Sequence, residues 1–390
     1  MSPQTERFFQ NIKNGALAVA ALTIAVLAVA VTTILWKPVE PDHPPQPPPD
    51  ESSIKESDIP GLCGWAGEEA AHDAFAELKG KFVPFVIWDT RKEAEAVPQD
   101  KRSVLWDASL KILGQHIPNF PQQIGDCVSF GAANAIMYLE CVQALSDPIK
   151  YRPVFQPFIY GTSRVLVGKG RLGCSSDGSV GSWAAAAIQD YGVLFADESS
   201  VPSYSGSVAK QWGCKKSAFE KFLPVAKEFP VQSVAQVTSW QQVRDAMING
   251  YPVTVASNQG FTMRGKISNN KLWLTPSGQW AHQMCIIGYD NQPEPCFCIL
   301  NSWGPDAHGK PAGNDPPGSF WTTAKVVDRM VKQGDSFAIS AFKGFPVNWD
   351  WDLDILMEKG PDHGRNDSLR RNYRDGFQLG SDDSHYAISP

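Results

Sequence analysis

The sequence predicts an α+β domain behind an N-terminal hydrophobic helix, and three observations lead to this fold class. A run of apolar and small residues from Cys127 to Leu145 indicates a helix that is buried on most of its faces. The stretch from His282 to Asn301, in which "DNQP" separates two apolar runs, is typical of a β-hairpin. The run from Gly15 to Trp36 contains no charged residue, and about 20 such residues are enough for a helix to cross a bilayer.

Length and composition predict one large core and exclude several functions. The chain has 390 residues, of which 43% are hydrophobic and 19% charged, so it is long enough to bury a sizeable interior. The formal net charge of -6 and the lack of a Lys/Arg cluster argue against a nucleic-acid partner. The eight cysteines contain no two pairs with CxxC spacing, which argues against a zinc site. We therefore expect no metal and no cofactor.

The apolar run at residues 15–36 is predicted to be a transmembrane signal anchor. A cleaved signal peptide is the alternative, but the run exceeds the usual apolar core of about 7 to 15 residues and no clear cleavage site follows it. Arg7 and Lys13 precede the run, whereas acidic residues such as Glu40 and Asp42 follow it. Because basic flanks favour the cytoplasmic side, we expect residues 1–14 in the cytoplasm and the rest of the chain outside it, as a single-pass membrane protein.

The remaining chain divides into four predicted regions. Residues 37–60 are rich in proline, which favours an extended linker. Residues 61–115 contain the amphipathic stretch "GEEAAHDAFAELKGKF" and form either an inhibitory pro-segment or an extra layer of the domain. Residues 116–347 are the main domain. Residues 348–390 are polar and without apolar periodicity, so they are expected to form a loosely ordered tail.

Cys127 is placed where a thiol is activated. Asp126 precedes it as a natural N-cap, and Gly125 permits a close approach of the chain. The unpaired amide groups and the positive end of the dipole at a helix start favour the thiolate, which is the nucleophilic form. The alternative is an inert buried thiol, because free cysteines are commonly buried. Cys127 is reactive only if the fold also supplies a base.

The hairpin offers that base. If Tyr289 and Glu294 close a four-residue loop around "DNQP", pairing back along the ladder places His282 opposite Asn301. Residues opposite each other on neighbouring strands have Cβ atoms about 5 Å apart. Asn301 would then fix the orientation of the His282 ring while the other ring nitrogen faces a thiol.

These residues together resemble the papain-like cysteine proteases over roughly Val104 to Phe345. Cys127 at a helix start, "HQMCIIGYD" from His282 and "NSWG" from Asn301 occur in the family's order and at compatible separations. "GCSSDGSVGSWAAAAIQDYGV", from Gly173, is similar to the family's Gly-Cys-Asn-Gly-Gly segment and the helix that follows it. The resemblance implies a papain-like fold of two subdomains. A helical subdomain would carry Cys127, and a β-barrel-like subdomain would carry His282 and Asn301 across a cleft.

The resemblance also implies roles for residues around this triad. Trp303 would shield the bond between His282 and Asn301 from water. Three residues would border the pocket for the substrate: Ala281, Gln283 and Gly178.

The chain departs from the family at two positions before the cysteine. Pro121 stands where the family has the glutamine that donates to the oxyanion, so Gln122 and Gln123 are the candidates for that role. Ile124 stands where the family has a cysteine, which excludes the usual disulfide to the Gly-Cys segment. Cys174 then either pairs with Cys214, or both remain reduced.

The resemblance implies a cysteine-type endopeptidase that hydrolyses peptide bonds through a thioester acyl-enzyme. Its expected partners are a peptide or protein substrate and, through the N-terminal helix, a membrane. Two alternatives remain open at the level of sequence. One is a catalytically inactive papain-fold binding protein, which the missing glutamine at residue 121 favours. The other is a transpeptidase or a cell-wall peptide hydrolase on the same fold.

Overall fold

A computed structural model describes residues 55–83, 85, 102–145 and 150–340 of the chain. The predicted anchor at 15–36, most of the predicted linker and the predicted tail at 348–390 lie outside these residues. Within the described ranges, every helix is too short or too polar to cross a membrane. The described part of the chain combines helices with one large sheet, which is the predicted α+β class.

Helices dominate the first two thirds of the described chain. The α-helices are α1 (Ile59–Leu62), α2 (Glu68–Leu78), α3 (Trp106–Leu113), α4 (Cys127–Gln143), α5 (Gln156–Gly161), α6 (Gly181–Asp190), α7 (Gly206–Trp212), α8 (Leu223–Ala226), α9 (Trp240–Ile248) and α10 (Ala324–Val331). Short 3₁₀ turns lie at Glu56–Asp58, Lys79–Lys81, Lys216–Ala218 and Glu220–Phe222, and a π-helical turn at Thr162–Val167.

The strands are mostly in the C-terminal half and form one sheet. They are β1 (Ser103–Val104), β2 (Ser233–Gln236), β3 (Val253–Phe261), β4 (Lys266–Ser268), β5 (Lys271–Trp273), β6 (Pro276–Asp290), β7 (Cys296–Leu300), β8 (Ser319–Thr323) and β9 (Asp335–Ser340). The order across the sheet is β2-β9-β3-β6-β7-β8-β5-β4, and β1 pairs with β6. The pairs are antiparallel except for β5 with β8.

Helix α4 is the long buried helix that the sequence predicts. It contacts β6 on one side and α5 and α6 on another, so its small and apolar residues face protein on nearly every side. The predicted N-cap is wrong in its detail. The Asp126 side chain caps no backbone N–H of α4 and instead accepts a hydrogen bond of 3.1 Å from the Tyr204 hydroxyl, while the Asp126 carbonyl accepts from Ser129 N–H at 3.0 Å.

The predicted hairpin exists, but its register differs from the prediction. Asp290 pairs with Cys296, so the loop between β6 and β7 runs over residues 291–295 and is one residue longer than expected. A shift between Ile286 and Gly288 moves the register again, and Cys285 lies opposite Leu300. His282 is therefore not directly opposite Asn301 and reaches it diagonally. Diagonal neighbours on adjacent strands remain within reach of long side chains.

Two hydrophobic clusters hold these parts together. The larger cluster lies between α4 and the sheet, and it continues onto α1 and α2 through residues such as Leu62 and Ala71. The smaller cluster lies within the helical part and is rich in aromatic rings, among them Phe158, Trp212 and Phe219. Residues 55–83 are therefore packed into the larger cluster, and this packing holds the N-terminal stretch in one position on the domain.

Candidate active site

Cys127 is the first residue of α4, and its thiol is completely enclosed. Its exposed fraction is 0%, and the backbone N–H of Gln283 on β6 donates to its Sγ at 3.5 Å. The Gly64 N–H also hydrogen-bonds to the thiol. The start of α4 and the middle of β6 thus meet at this sulfur.

The structure brings His282 and Asn301 together. His282 Nε2 lies 2.8 Å from Asn301 Oδ1, and the Ser302 N–H donates to the same oxygen at 2.7 Å. Because this oxygen already accepts from Ser302, it faces His282 as an acceptor, so His282 Nε2 carries the proton. His282 Nδ1 is buried and has no hydrogen-bond partner among the described residues. His282 therefore presents a bare nitrogen that is able to accept a proton, and the next residue, Gln283, contacts the Cys127 thiol through its N–H.

Trp303 packs directly on this histidine, as the family resemblance implies. The two ring centroids are 4.8 Å apart, and Trp303 is 2% exposed. The centroid of the Trp280 ring also lies 4.8 Å from the centroid of the Trp303 ring. Two aromatic rings therefore pack at the buried pair of His282 and Asn301.

A short N-terminal stretch, residues 62–66, lies across the thiol, and we call it the covering segment. Its backbone pairs with both sides of the site. The Trp65 N–H donates to the Ala281 carbonyl at 2.9 Å, the Ser179 N–H donates to the Gly64 carbonyl at 2.8 Å, and the Ala66 N–H donates to the Ser179 carbonyl at 3.0 Å. The segment is thus held as an extended chain between the loop before α6 and strand β6.

The indole of Trp65 anchors the covering segment from inside. Trp65 Nε1–H donates to Asp335 Oδ2 at 2.7 Å, and both side chains are buried. The same carboxylate accepts from the Gly181 and Ser182 amides at 2.6 and 2.7 Å, at the start of α6. Asp335 begins β9 and carries no sequence signal that would have marked it as part of this site.

Glycine makes this close contact possible. A Cβ at Gly64 would lie 1.8 Å from the Gly125 carbonyl oxygen, and a Cβ at Gly178 would lie 2.6 Å from the Gly64 carbonyl oxygen. Gly178 also has φ of +106°, which side chains rarely adopt. Of the predicted pocket residues, Gly178 and Ala281 therefore contact the covering segment through their backbones.

Gln283, the third predicted pocket residue, is buried beside α4. Its Nε2–H donates to the Val128 carbonyl at 2.9 Å, and its Oε1 has no hydrogen-bond partner among the described residues. A Cβ at Gly181 would lie 2.8 Å from this oxygen and 2.9 Å from the Asp335 carboxylate. Gln283 therefore reaches the buried end of the space that the Trp65 indole fills.

Burial controls the protonation of both groups in this arrangement. Desolvation raises the pKa of the Cys127 thiol to about 12 and lowers the pKa of His282 to about 4. The lowered thiol pKa that the helix position predicts is therefore not found while the covering segment is in place. Without water, neither the thiolate nor the imidazolium is stabilised, so both groups stay neutral.

The structure separates the two candidate oxyanion glutamines. Gln122 is buried, its Oε1 accepts from the Ser302 hydroxyl at 2.6 Å, and its Nε2–H groups donate to the carbonyls of Leu62 and Ile124, both at 2.8 Å. Gln123 is exposed, and its Oε1 accepts from the Gly206 N–H at 2.9 Å, on the start of α7. Gln122 alone directs its amide donors toward the covering segment.

In the described part of the chain, the cysteines form no disulfide and no acidic cluster fits a metal ion. All eight cysteines are free thiols, and Cys174 lies beside Cys214 as a hydrogen-bonding neighbour. The described ranges hold no group of three His, Cys, Asp or Glu side chains that fits a metal ion.

His308 is a site residue that the sequence reasoning missed. It lies in the loop after β7, is 1% exposed, and its Nε2 is 2.9 Å from Asn301 Nδ2. It follows Asn301 by seven residues in an irregular stretch, so no strand or helix periodicity points to it.

Comparison with known proteins gives similar structures but no sequence relative. No family model matches the chain, and no curated protein sequence is similar to it. Among solved structures, it is similar to xylellain, a cysteine protease from Xylella fastidiosa, with 15% identity, 63% of this chain and 87% of that chain covered, and a TM-score of 0.43.

Two further solved structures are similar at the same level. For the bromelain protease from Ananas comosus the values are 17% identity, 63% of this chain, 100% of that chain and a TM-score of 0.41. The proform of the ragweed pollen cysteine protease Amb a 11 is 14% identical, with 73% of this chain and 78% of that chain covered and a TM-score of 0.43. Since these TM-scores lie below 0.5, the assignment of function depends on the geometry of the site.

Proposed function

We propose that the chain is a hydrolase that uses Cys127 as a nucleophile and His282 as its acid and base. One observation carries this class: Asn301 holds the Nε2 side of the His282 ring at 2.8 Å and leaves Nδ1 unpaired, one residue before the Gln283 N–H that donates to the Cys127 thiol. A nucleophile, a base and a residue that orients the base are the parts of a catalytic triad. Within this class, we propose a papain-like cysteine peptidase.

A peptide substrate is supported by what the site already holds. The covering segment is an extended peptide, and it is fixed by main-chain hydrogen bonds to Ser179 and Ala281. A site that pairs with one extended backbone in this way suits another, because main-chain bonds do not depend on side-chain identity. We therefore propose that a peptide or protein substrate replaces residues 62–66 in the open enzyme.

The reaction proceeds in two steps. The Cys127 Sγ bonds to the carbonyl carbon of the substrate, and its proton passes to His282 Nδ1. The tetrahedral intermediate then breaks its C–N bond, His282 protonates the leaving amine, and a thioester remains on Cys127. Water attacks this thioester while His282 accepts its proton, and the acid product leaves the regenerated thiol.

Gln122 is the donor that we propose for the oxyanion. Its Nε2–H currently donates to the Leu62 carbonyl oxygen, 2.8 Å away, within the covering segment. When Leu62 withdraws, this N–H is left without that acceptor and points into the site. A developing oxyanion is a stronger acceptor than a neutral carbonyl, so this contact strengthens in the transition state.

The described form is latent under this proposal. Residues 61–115 act as the inhibitory pro-segment rather than as a passive layer, because residues 62–66 exclude water and substrate from Cys127. Activation then requires the covering segment to leave its position between Ser179 and Ala281. Burial that raises the thiol pKa to about 12 is expected to reverse when water enters.

The proposal is tested with an irreversible epoxide inhibitor of thiol enzymes, followed by peptide mapping of the labelled chain. The target is a Gly64→Ala variant, in which the added methyl group displaces the covering segment. We expect the label on Cys127 together with hydrolysis of a peptide substrate. A variant labelled on no cysteine and inactive toward peptides would favour an inactive papain-fold binding protein instead.

We also propose that this domain is anchored to a membrane by residues 15–36, with its catalytic part outside the cytoplasm. This proposal depends on the uncharged length of that run and on its basic N-terminal flank. Protease added to intact cells should then digest the region after residue 36. Recovery of a soluble form that begins near residues 31–37 would instead identify a cleaved signal peptide.

A further inference from the structure

The side chain of Asn301 is held by three separate groups. Its Oδ1 accepts from Ser302 N–H at 2.7 Å and faces His282 Nε2 at 2.8 Å, while its Nδ2 lies 2.9 Å from His308 Nε2. The Ser302 bond fixes which end of the amide is oxygen, because two N–H donors would otherwise face each other. The Nδ2 group therefore donates, and His308 Nε2 has to accept.

The other ring nitrogen of His308 explains why it accepts. His308 Nδ1 lies 3.3 Å from the Met263 carbonyl oxygen, which has no proton to donate. Nδ1 thus carries the proton and donates to Met263, which leaves Nε2 bare. Burial lowers the pKa of His308 to about 4, so the ring is neutral near pH 7 and keeps one acceptor.

The hydrogen bonds form one directional chain through the site. His308 Nδ1–H donates to the Met263 carbonyl, Asn301 Nδ2–H donates to His308 Nε2, and His282 Nε2–H donates to Asn301 Oδ1. In each of these three side chains, the polar atom at the other end carries no proton and can accept: Nε2 in His308, Oδ1 in Asn301 and Nδ1 in His282. At the end of the chain, His282 Nδ1 is the nitrogen without a proton, and it is the one available to Cys127.

We propose that His308 is a positioning residue that, together with the Ser302 N–H, fixes the Asn301 amide and thereby holds His282 in the tautomer with a bare Nδ1. This inference rests on the proposed function, because His282 serves as a base only in that reaction. His308 acts through Asn301 and touches neither Cys127 nor substrate. Its contribution is to keep the base in one protonation pattern and one orientation.

The first test uses the full chain with histidine rings labelled with ¹⁵N. Nuclear magnetic resonance at pH 7 should show the proton on Nε2 of His282 and on Nδ1 of His308. Replacing His308 with leucine removes the acceptor at similar volume, so the His282 signals should become a mixture of tautomers. A proton on Nε2 of His308 in the wild-type chain, or unchanged His282 signals in His308→Leu, would overturn the proposal.

The second test compares His308→Leu with His308→Gln in the chain that carries Gly64→Ala. Glutamine offers an oxygen that accepts from Asn301 Nδ2 and an amide that donates to Met263, so it should restore most of the function. We expect kcat for a peptide to fall by about 10- to 100-fold in His308→Leu with little change in KM, a part of the 10²–10⁴ that a positioned acid–base group contributes. The rate of Cys127 alkylation by iodoacetamide at pH 6 should fall in parallel.

The outcomes separate this inference from the proposed function. Equal losses in His308→Leu and His308→Gln would indicate a purely structural role and overturn the proposal, as would no loss in either variant. If the Gly64→Ala chain cleaves no peptide, the proposed function fails. The alkylation rate and the ring signals would still report on whether His308 orients His282.

Discussion

At the residue scale, Gln122 would connect the proposed catalysis with the proposed inhibition through one amide group. Its oxygen accepts from Ser302, which adjoins Asn301, and one of its N–H groups donates to Leu62 in the covering segment. Ser302 therefore contacts both the proposed oxyanion donor, Gln122, and the residue that orients the proposed base, Asn301. Gln122 lies five residues before Cys127, one fewer than the glutamine of the family that the chain resembles, and its buried contacts keep its amide against Leu62 of the covering segment.

Gln122→Ala in the Gly64→Ala chain should lower kcat by about 10²–10³, the usual cost of losing an oxyanion donor. Gln123→Ala is the matched control, because Gln123 is exposed and its side chain binds Gly206 instead. Steady-state kinetics on one peptide substrate measure both effects. A larger loss in Gln123→Ala than in Gln122→Ala would move the role to Gln123.

Cys127→Ala should abolish peptide hydrolysis and leave the fold intact, because a small side chain strains nothing at the first turn of α4. Cys141→Ala is the matched control. Cys141 is another buried thiol of the same helix, but it lies more than three turns from the site. Peptide hydrolysis and the midpoint of thermal unfolding are the measurements. Retained hydrolysis in Cys127→Ala would remove the nucleophile from the mechanism.

At the scale of elements, the covering segment depends on the space at one glycine. Gly64→Ala places a methyl group 1.8 Å from the Gly125 carbonyl, so the segment has to move away from Cys127. We expect the rate of Cys127 alkylation by iodoacetamide at pH 6 to rise at least about tenfold, because exposure and thiolate character both promote the reaction.

Gly61→Ala is the control for this prediction. Gly61 belongs to α1, three residues earlier, and a Cβ there would contact nothing within 4 Å. Mass spectrometry of the alkylated chain gives the rate at Cys127 in both variants. Similar rates in Gly64→Ala and Gly61→Ala would mean that the segment does not control access to the thiol.

The hairpin shows which part of the site was predictable from sequence. The two apolar runs and the turn signal between them sufficed to predict β6 and β7, and the pairing of His282 with Asn301 followed from their proximity along the ladder. The register was wrong, because neither the five-residue loop at 291–295 nor the irregularity near Ile286 leaves a sequence signature. The side chains still meet, because a diagonal pair tolerates such an offset.

The contacts that the sequence did not reveal are those between distant parts of the chain. Trp65 and Asp335 are 270 positions apart, and no local pattern predicts that an indole will bind that carboxylate. The same holds for Leu62 and Gln122. Local patterns predicted the helix of Cys127 and its apolar environment, whereas the occlusion of the thiol depends on long-range packing of residues 55–83 against the main core.

At the scale of the whole molecule, two buried histidines make stability depend on pH. Burial lowers the pKa of His282 and of His308 to about 4 from the ordinary 6.5. Above pH 6.5 both rings are neutral in the folded protein and in the unfolded protein. Between about pH 6.5 and 4 the unfolded chain binds protons at these two rings that the folded protein excludes, so the rings lower the free energy of unfolding as pH falls. Carboxyl groups whose pKa is raised by burial, such as that of Glu140, contribute with the opposite sign.

The expected loss is on the order of 3 kcal/mol per histidine at the acid end of this range. Urea unfolding at a series of pH values measures it. His308→Gln should remove the contribution of one of the two rings, so the free energy of unfolding of this variant should fall less between pH 6.5 and 4 than that of the wild-type chain. An identical dependence in His308→Gln and in the wild-type chain would show that His308 is protonated in the folded protein.

The covering segment also has a consequence for how the enzyme responds to dilution. Because residues 62–66 and Cys127 belong to one chain, the segment acts as an intramolecular ligand whose occupancy does not depend on the protein concentration. Under the proposed function, the latent fraction is therefore the same in a concentrated and in a dilute sample. A free peptide with the sequence of this segment would instead dissociate as its concentration falls. If the chain is cut between the covering segment and Cys127, the segment should dissociate on dilution. Activation would then be effectively irreversible.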